Sequence, residues 1–233
     1  MKTKLLAKTL PARVAFAAAF VFAVASAPAG ATVIYNGGAP DQGGQIYATG
    51  TASVAMSFTL APGADVVTDA HWWGGCFPST TCGSTPNFTL GINADSGGLP
   101  GANIWFGNVG SANQTLTGKV IGPPTAPQWD EYSYSATFAP LTLTPGTTYW
   151  FALRQNDVAS PTWGAETTST APLGSTSASY GSFGLSWTAL PEKNLAFELT
   201  GGVPEPATWA MVLLGFATVG FAGYRGAKAT LDS

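Results

Sequence analysis

Six short runs in this chain alternate apolar residues with polar or small ones, and turn formers punctuate the segments between them. The apolar members are Val54, Met56, Phe58 and Leu60; Phe88, Leu90 and Ile92; Tyr132, Tyr134, Ala136 and Phe138; Tyr149, Phe151 and Leu153; Phe183, Leu185 and Trp187; and Leu195, Phe197 and Leu199. A period of two puts every second side chain on the same side of an extended chain, so each run predicts a half-buried antiparallel strand. The turn signals "APGAD", "ADSGGLPGA", "IGPPTAP", "LTPGTT" and "ALPEKN" combine Gly, Pro, Asn and Asp as chain reversals require. Between residues 32 and 202 no stretch sustains a capped stripe of 3.6-residue period, and no fixed-period repeat stands out. Many short strands at this spacing predict an all-β fold, a jelly-roll-like antiparallel β-sandwich.

Charge narrows the possible partners. Only 9% of the chain is charged, against ~25% in an ordinary soluble domain, which argues against a coiled coil or a charged disordered tail. Between residues 32 and 202 the bases are Lys119, Arg154 and Lys193, whereas ten acids occupy the same stretch. A domain this acidic is not expected to bind nucleic acid, and it would meet an anionic polymer only through a bridging cation.

The two ends differ from the middle. Lys2, Lys4, Lys8 and Arg13 precede the apolar stretch Val14 to Val24, and "ASAPAGA" follows, the three-part order of a secretory signal peptide. Eleven residues at ~1.5 Å rise are too short to span a membrane. Ala29 and Ala31 form an A-x-A site, which predicts a signal peptide at 1–31 cut after Ala31. At the other end, Ala207 to Tyr224 carries no charge and as a helix would reach about 27 Å, enough to span. Arg225 and Lys228 follow it, which would hold the tail on the cytoplasmic side. Pro204 and Pro206 break any regular helix before it.

Val203-Pro204-Glu205-Pro206, the apolar stretch and the short basic end together resemble the PEP-CTERM sorting signal of exported bacterial proteins. The resemblance covers residues 203–233 and implies an exosortase, a membrane-embedded enzyme that recognises Pro204, Glu205 and Pro206 and processes the anchor. It implies export through the Sec machinery, a transient stay in the inner membrane, and a final place at the cell surface or outside a Gram-negative bacterium that makes extracellular polysaccharide and biofilm. The basic end, Arg225 and Lys228, is sparser than the Arg cluster usual in the family. The organisation expected is therefore a signal peptide at 1–31, an exported β-sandwich domain at 32–202 and a sorting signal at 203–233.

Few residues in the exported part point to chemistry. Cys76 and Cys82 have five residues between them in the loop-like stretch "HWWGGCFPSTTCGSTPN", and export to an oxidising compartment predicts a disulfide worth roughly 2 kcal/mol. His71 is the only histidine, in the strand-like run "VVTDAHWWGG", and no G-x-S-x-G elbow accompanies it, so no catalytic residue is assigned. Spacing does not show whether any two of the ten acids face each other, as glycoside hydrolysis would need. "INADSGGLPGA" resembles a segment common in exported β-sandwich proteins with bacterial anchors. A turn accounts for it; Asp95 is the one candidate for Ca²⁺, with no ligand set around it, and no other metal or cofactor is expected. "TTSTAPLGSTSASYGS", residues 167–182, reads as a long exposed low-complexity loop.

Tryptophan offers the remaining signal. Trp72, Trp73, Trp105, Trp129 and Trp163 fall at or near expected strand ends or loops, where an indole face can stack on a sugar ring. The function expected is a non-enzymatic exported protein with a structural or glycan-binding role in extracellular polysaccharide. The alternatives are a secreted carbohydrate-active hydrolase on a jelly-roll scaffold and a protein-binding adhesin.

Overall fold

The computed structural model describes residues 31–79, 81–82, 86–157, 161–170, 179–181, 186–190, 193–201, 214 and 216. They form an all-β fold of two antiparallel sheets; among them only Leu214 and Phe216 are helical. In chain order the strands are β1 (Thr32–Asn36), β2 (Gln45–Tyr47), β3 (Ser53–Thr59), β4 (Val66–Phe77), β5 (Asn87–Asp95), β6 (Pro100–Ser111) and β7 (Asn113–Ile121). They continue as β8 (Trp129–Thr142), β9 (Thr148–Gln155), β10 (Thr162–Glu166), β11 (Ser179–Gly181), β12 (Trp187–Ala189) and β13 (Phe197–Gly201).

The first sheet is organised by β4. One edge of β4 pairs with β8 from Val66 to Gly74, and the other pairs first with β13 at Asp69–Trp72 and then with β10 at Gly74–Phe77. β1 extends the sheet beyond β13, β2 beyond β10 and β7 beyond β8. The second sheet runs β12-β11-β3-β9-β5-β6. The core lies between the sheets: Val54, Met56, Phe58, Phe88, Leu90, Ile92, Phe151 and Leu153 from the second meet Trp72, Tyr134, Trp163, Phe197 and Leu199 from the first. Apart from Trp72 and Trp163, these are the side chains that the period-two reading placed inward, on β3, β5, β8, β9 and β13.

Aromatic geometry fills this layer. Trp72 stacks on Tyr134 at 5.9 Å and 12°, while Phe88 meets Trp163 edge-on at 4.9 Å and 80°. Offset-stacked and edge-to-face contacts are the arrangements that ring quadrupoles favour, each worth ~0.5–1.5 kcal/mol beyond area burial. The Cys76–Cys82 disulfide forms, with Cα atoms 5.0 Å apart. It draws Cys82 into the core, where Sγ lies 3.4 Å from the Tyr134 hydroxyl.

The Gly-rich stretch after β5 turns the chain as its composition requires. Gly97 and Gly98 take φ of 65° and 83°, the paired positive values of a type I′ hairpin, and Ser96 N–H donates to Leu99 O at 2.8 Å. The Asp95 carboxylate accepts from Gly98 N–H at 3.3 Å and from the buried Trp150 indole at 2.8 Å. Asp95 thus secures the turn and satisfies an indole that has left water.

Some expectations require correction. β3 and β9 are not half-exposed: Ala55, Trp150 and Ala152 on their second face are covered by Trp187, with Leu99 packed alongside. The cysteine stretch is not all loop, because β4 continues through Trp72, Trp73 and Cys76 to Phe77. The 167–182 stretch is not a free loop at its start, where Thr167 and Thr168 are buried and Thr167 bridges to Leu195. It re-enters a sheet as β11; residues 171–178 lie outside the described set.

Candidate functional site

The outer face of the first sheet carries the most unusual side chains. Ile46, Trp72, Cys76, Tyr132, Tyr134, Trp163 and Ala165 point into the core or pack on it. Alternation therefore turns Gln45 and Tyr47, Trp73, Gly75 and Phe77, Trp129 and Glu131, and Gly164 and Glu166 to the opposite side. The register brings them together, since Gly164 pairs with Tyr47 on one side and with Gly75 on the other, and Phe77 pairs with Thr162.

Three of these rings form an exposed ledge. Tyr47 is 41% exposed and Phe77 39%, and Trp129 is half-buried beside them. Ring centroids are 5.7 Å apart between Tyr47 and Phe77 and 5.3 Å apart between Phe77 and Trp129, with interplanar angles of 50° and 74°. The rings do not share a plane. They can each meet one face of a flexible ligand, whereas a flat crystalline surface would touch only one of them.

Next to the ledge, two carboxyls from strands on opposite sides of β4 meet over the sheet. Glu131 of β8 and Glu166 of β10 are both fully buried. Gly75 and Gly164 let the surroundings of the pair close up: a Cβ at Gly75 would lie 2.8 Å from Asp130 O, and one at Gly164 would lie 2.8 Å from Gln45 Cδ. Gln42 bridges the pair, its backbone N–H donating to Glu166 Oε1 at 2.8 Å and its side-chain amide to Glu131 Oε2 at 2.8 Å. Gln42 is the described non-glycine residue with positive φ, at 58°, and that conformation aims both donors into the pair. The remaining oxygens, Glu131 Oε1 and Glu166 Oε2, find no donor from another side chain, so the proton that Glu166 keeps at neutral pH is the donor available to the pair. Burial, then the charge and hydrogen bond of Glu131, push the Glu166 carboxyl up to about 9, against the lowering effect of the Gln42 N–H.

The sugar-stacking candidates separate by strand face. Trp72 and Trp163 have no exposed surface, so neither can stack on a sugar: both are core residues, pointing inward from β4 and β10. Trp105 stacks on Phe138 at 4.5 Å and packs against the core with only part of its surface exposed. Trp73 is half-buried on the outer face, and Trp129 belongs to the ledge. Tyr47, Phe77, Gln42 and the Glu131–Glu166 pair were not singled out from sequence.

The titratable candidates are engaged locally. His71 Nε2 lies 2.9 Å from Asp69 Oδ1, and Cys76 is bonded to Cys82. Both carboxylate oxygens of Asp95 are taken by Trp150 and Gly98, and among the described residues no group of three or more His, Cys, Asp or Glu stands close enough to hold a metal. Ala31 is exposed just before β1. Ala29, Pro204, Glu205, Pro206, Arg225 and Lys228, and with them the rest of the signal peptide and all of the spanning segment except Leu214 and Phe216, lie outside the described residues.

Comparison with known proteins bears on the C-terminal end. No curated protein and no solved structure matches the chain. Residues 202–225 match the family model described as the PEP-CTERM protein-sorting motif. The match takes in Pro204, Glu205 and Pro206, the residues on which the resemblance rested, and ends at Arg225. The chain carries a PEP-CTERM protein-sorting motif, the mark of an exported protein sorted at the membrane as an exosortase substrate.

Proposed function

We propose that this chain is a non-enzymatic glycan-binding component of the surface or extracellular matrix of a Gram-negative bacterium, exported through Sec and released from the inner membrane by exosortase. The observation that carries the glycan reading is the exposed ledge of Tyr47, Phe77 and Trp129. Exposed rings held by a sheet lose little entropy on binding, and they offer apolar faces to the C–H side of a pyranose. The acidic surroundings favour a neutral or cationic polysaccharide. The tilt between rings favours a single chain over a packed fibre. We place the scaffold with sandwiches of jelly-roll type, a reading supported by β3, β4 and β5, and again β8, β9 and β10, alternating between the two sheets.

The test is co-sedimentation of the full-length protein with the producing organism's own extracellular polysaccharide. Trp129→Ala should weaken saturable binding about tenfold, which corresponds to ~1.4 kcal/mol. Binding that is absent, or unchanged by Trp129→Ala and Tyr47→Ala, would defeat the reading. A hydrolase is the second reading, prompted by the meeting of Glu131 and Glu166. Neither side chain has surface on which a sugar could rest, which favours a structural role for the pair.

A further inference from the structure

The segment between β1 and β2, residues 37–44, lies as a strap beside the outer face of the first sheet. Apart from Gln42 it is attached by Gly37 N–H to Phe197 O at 2.8 Å, by Asp41 N–H to Thr167 O at 3.3 Å, and at Gly44 O, which accepts from Thr167 N–H at 3.0 Å and from the Thr167 hydroxyl at 3.1 Å. At its middle, Gln42 makes both bonds to the carboxyl pair, and its own carbonyl accepts from Gly122 N–H at 2.9 Å. β2, which the strap leads into, has a ladder of only three residue pairs, all with β10, and it carries Tyr47. Such an edge strand has little local stability of its own.

We infer that the proton shared by Glu131 and Glu166 is a latch: while it is held, Gln42 pins the strap and β2 to the sheet, and its loss releases both. Two carboxylates in a dry site cannot both ionise without repelling each other, and the acceptors left behind would be negatively charged with too few donors. The charged groups acting on Glu166 are Glu131 from β8 and Asp41 from the strap itself, both acids, so deprotonation finds no compensating base among them. From β4, Asp69 and His71 of the same face bond each other at the far end of the strand. Loss of the proton would then drive the site open through the burial of charge and the repulsion of Glu131, with a smaller push from Asp41, against the Gln42 N–H, a donor that favours the charged carboxyl. As regulation of the ledge, the latch rests on the glycan reading, because it would displace Tyr47. As a conformational switch it does not.

The experiment is amide hydrogen exchange in the full-length protein without glycan, corrected for intrinsic chemical rates, at about pH 7 and about pH 10.5. Protection of residues 42–47 should fall about tenfold or more at the higher pH, while β9 amides such as Leu153 keep theirs. In Glu166→Gln, whose amide mimics the protonated carboxyl, protection of residues 42–47 should be the same at both. Glu131→Gln provides the same mimic from the other strand should Glu166→Gln fail to fold. Unchanged protection in the wild type would overturn the latch, as would parallel loss in β9, or loss in both variants equal to that of the wild type. Failure of polysaccharide binding would leave this result untouched, so the two claims fail separately.

Discussion

Replacing Glu166 by Gln should remove a pH dependence of stability that the wild type carries. In the folded protein the Glu166 carboxyl is raised from its ordinary 4.5 to about 9, chiefly by burial. Between those values the folded chain holds a proton that the unfolded chain has released, so the unfolded state binds fewer protons and rising pH favours unfolding. The stabilising contribution is therefore complete below about 4.5, declines across the window and is exhausted by about 9. Within the window the slope depends on the count of one proton, not on the size of the shift, and amounts to ~1.4 kcal/mol per pH unit. From about pH 6 to about pH 8 the wild type should lose ~3 kcal/mol relative to Glu166→Gln, which never titrates. For a domain of about 170 residues that is a relative fall in Tm of about 6–12 °C. Near-UV circular dichroism of full-length wild type and variant at the two pH values reads it directly. A Tm difference that stays constant to within about 1 °C between those pH values would refute the shared proton.

Other consequences are simpler to check. Trp163→Ala should cost about 3–5 kcal/mol in urea unfolding, because the indole is fully buried against Phe88 and Tyr134 and the sheets cannot close over the space it leaves. Asp95→Ala should cost about 1–3 kcal/mol by leaving the buried Trp150 N–H unpaired, and Asp95→Asn should recover part of it; equal losses would show that the bond contributes nothing. Replacing Pro204, Glu205 and Pro206 together by Ala should leave the C-terminal tail on envelope-derived protein, read by intact mass; unchanged processing would remove the tripeptide from its role.

The strands legible in the sequence are those whose alternate residues are large and apolar. β5 reads directly, as Phe88, Leu90 and Ile92 are all buried. β6 and β7 escaped because they are edge strands: Ile104, Phe106 and Leu116 are exposed, and bulges and a positive-φ Gly118 interrupt the period. Trp72 and Trp163 were misjudged, Trp72 for a definite reason. Trp72 and Trp73 are adjacent on one strand, so the pleat must send them to opposite faces, yet composition treats them alike. Most of β4 was legible in "VVTDAHWWGG", whereas its continuation through Cys76 to Phe77 was obscured because Gly74 and Gly75 dilute the apolar signal.

The candidate site was less legible than the fold. Tyr47 sits in a strand of three residues, too short for a period. Phe77 looked like part of a cysteine loop. Glu131 and Glu166 meet only because β8 and β10 both pair with β4, with glycine between them at position 75, and no local pattern encodes that adjacency. By contrast, Gly97 and Gly98 announced their turn, since their positive φ is a local requirement that glycine alone meets easily.

The most direct measurement of the central claim is a footprint of the bound polysaccharide on the full-length protein, with protection of Tyr47, Phe77, Trp73, Trp105 and Trp129 from oxidative labelling read residue by residue. Protection should concentrate at Tyr47, Phe77 and Trp129, with Trp105 unaffected. Protection centred on Trp105, or spread evenly over the surface, would contradict a glycan site on the ledge.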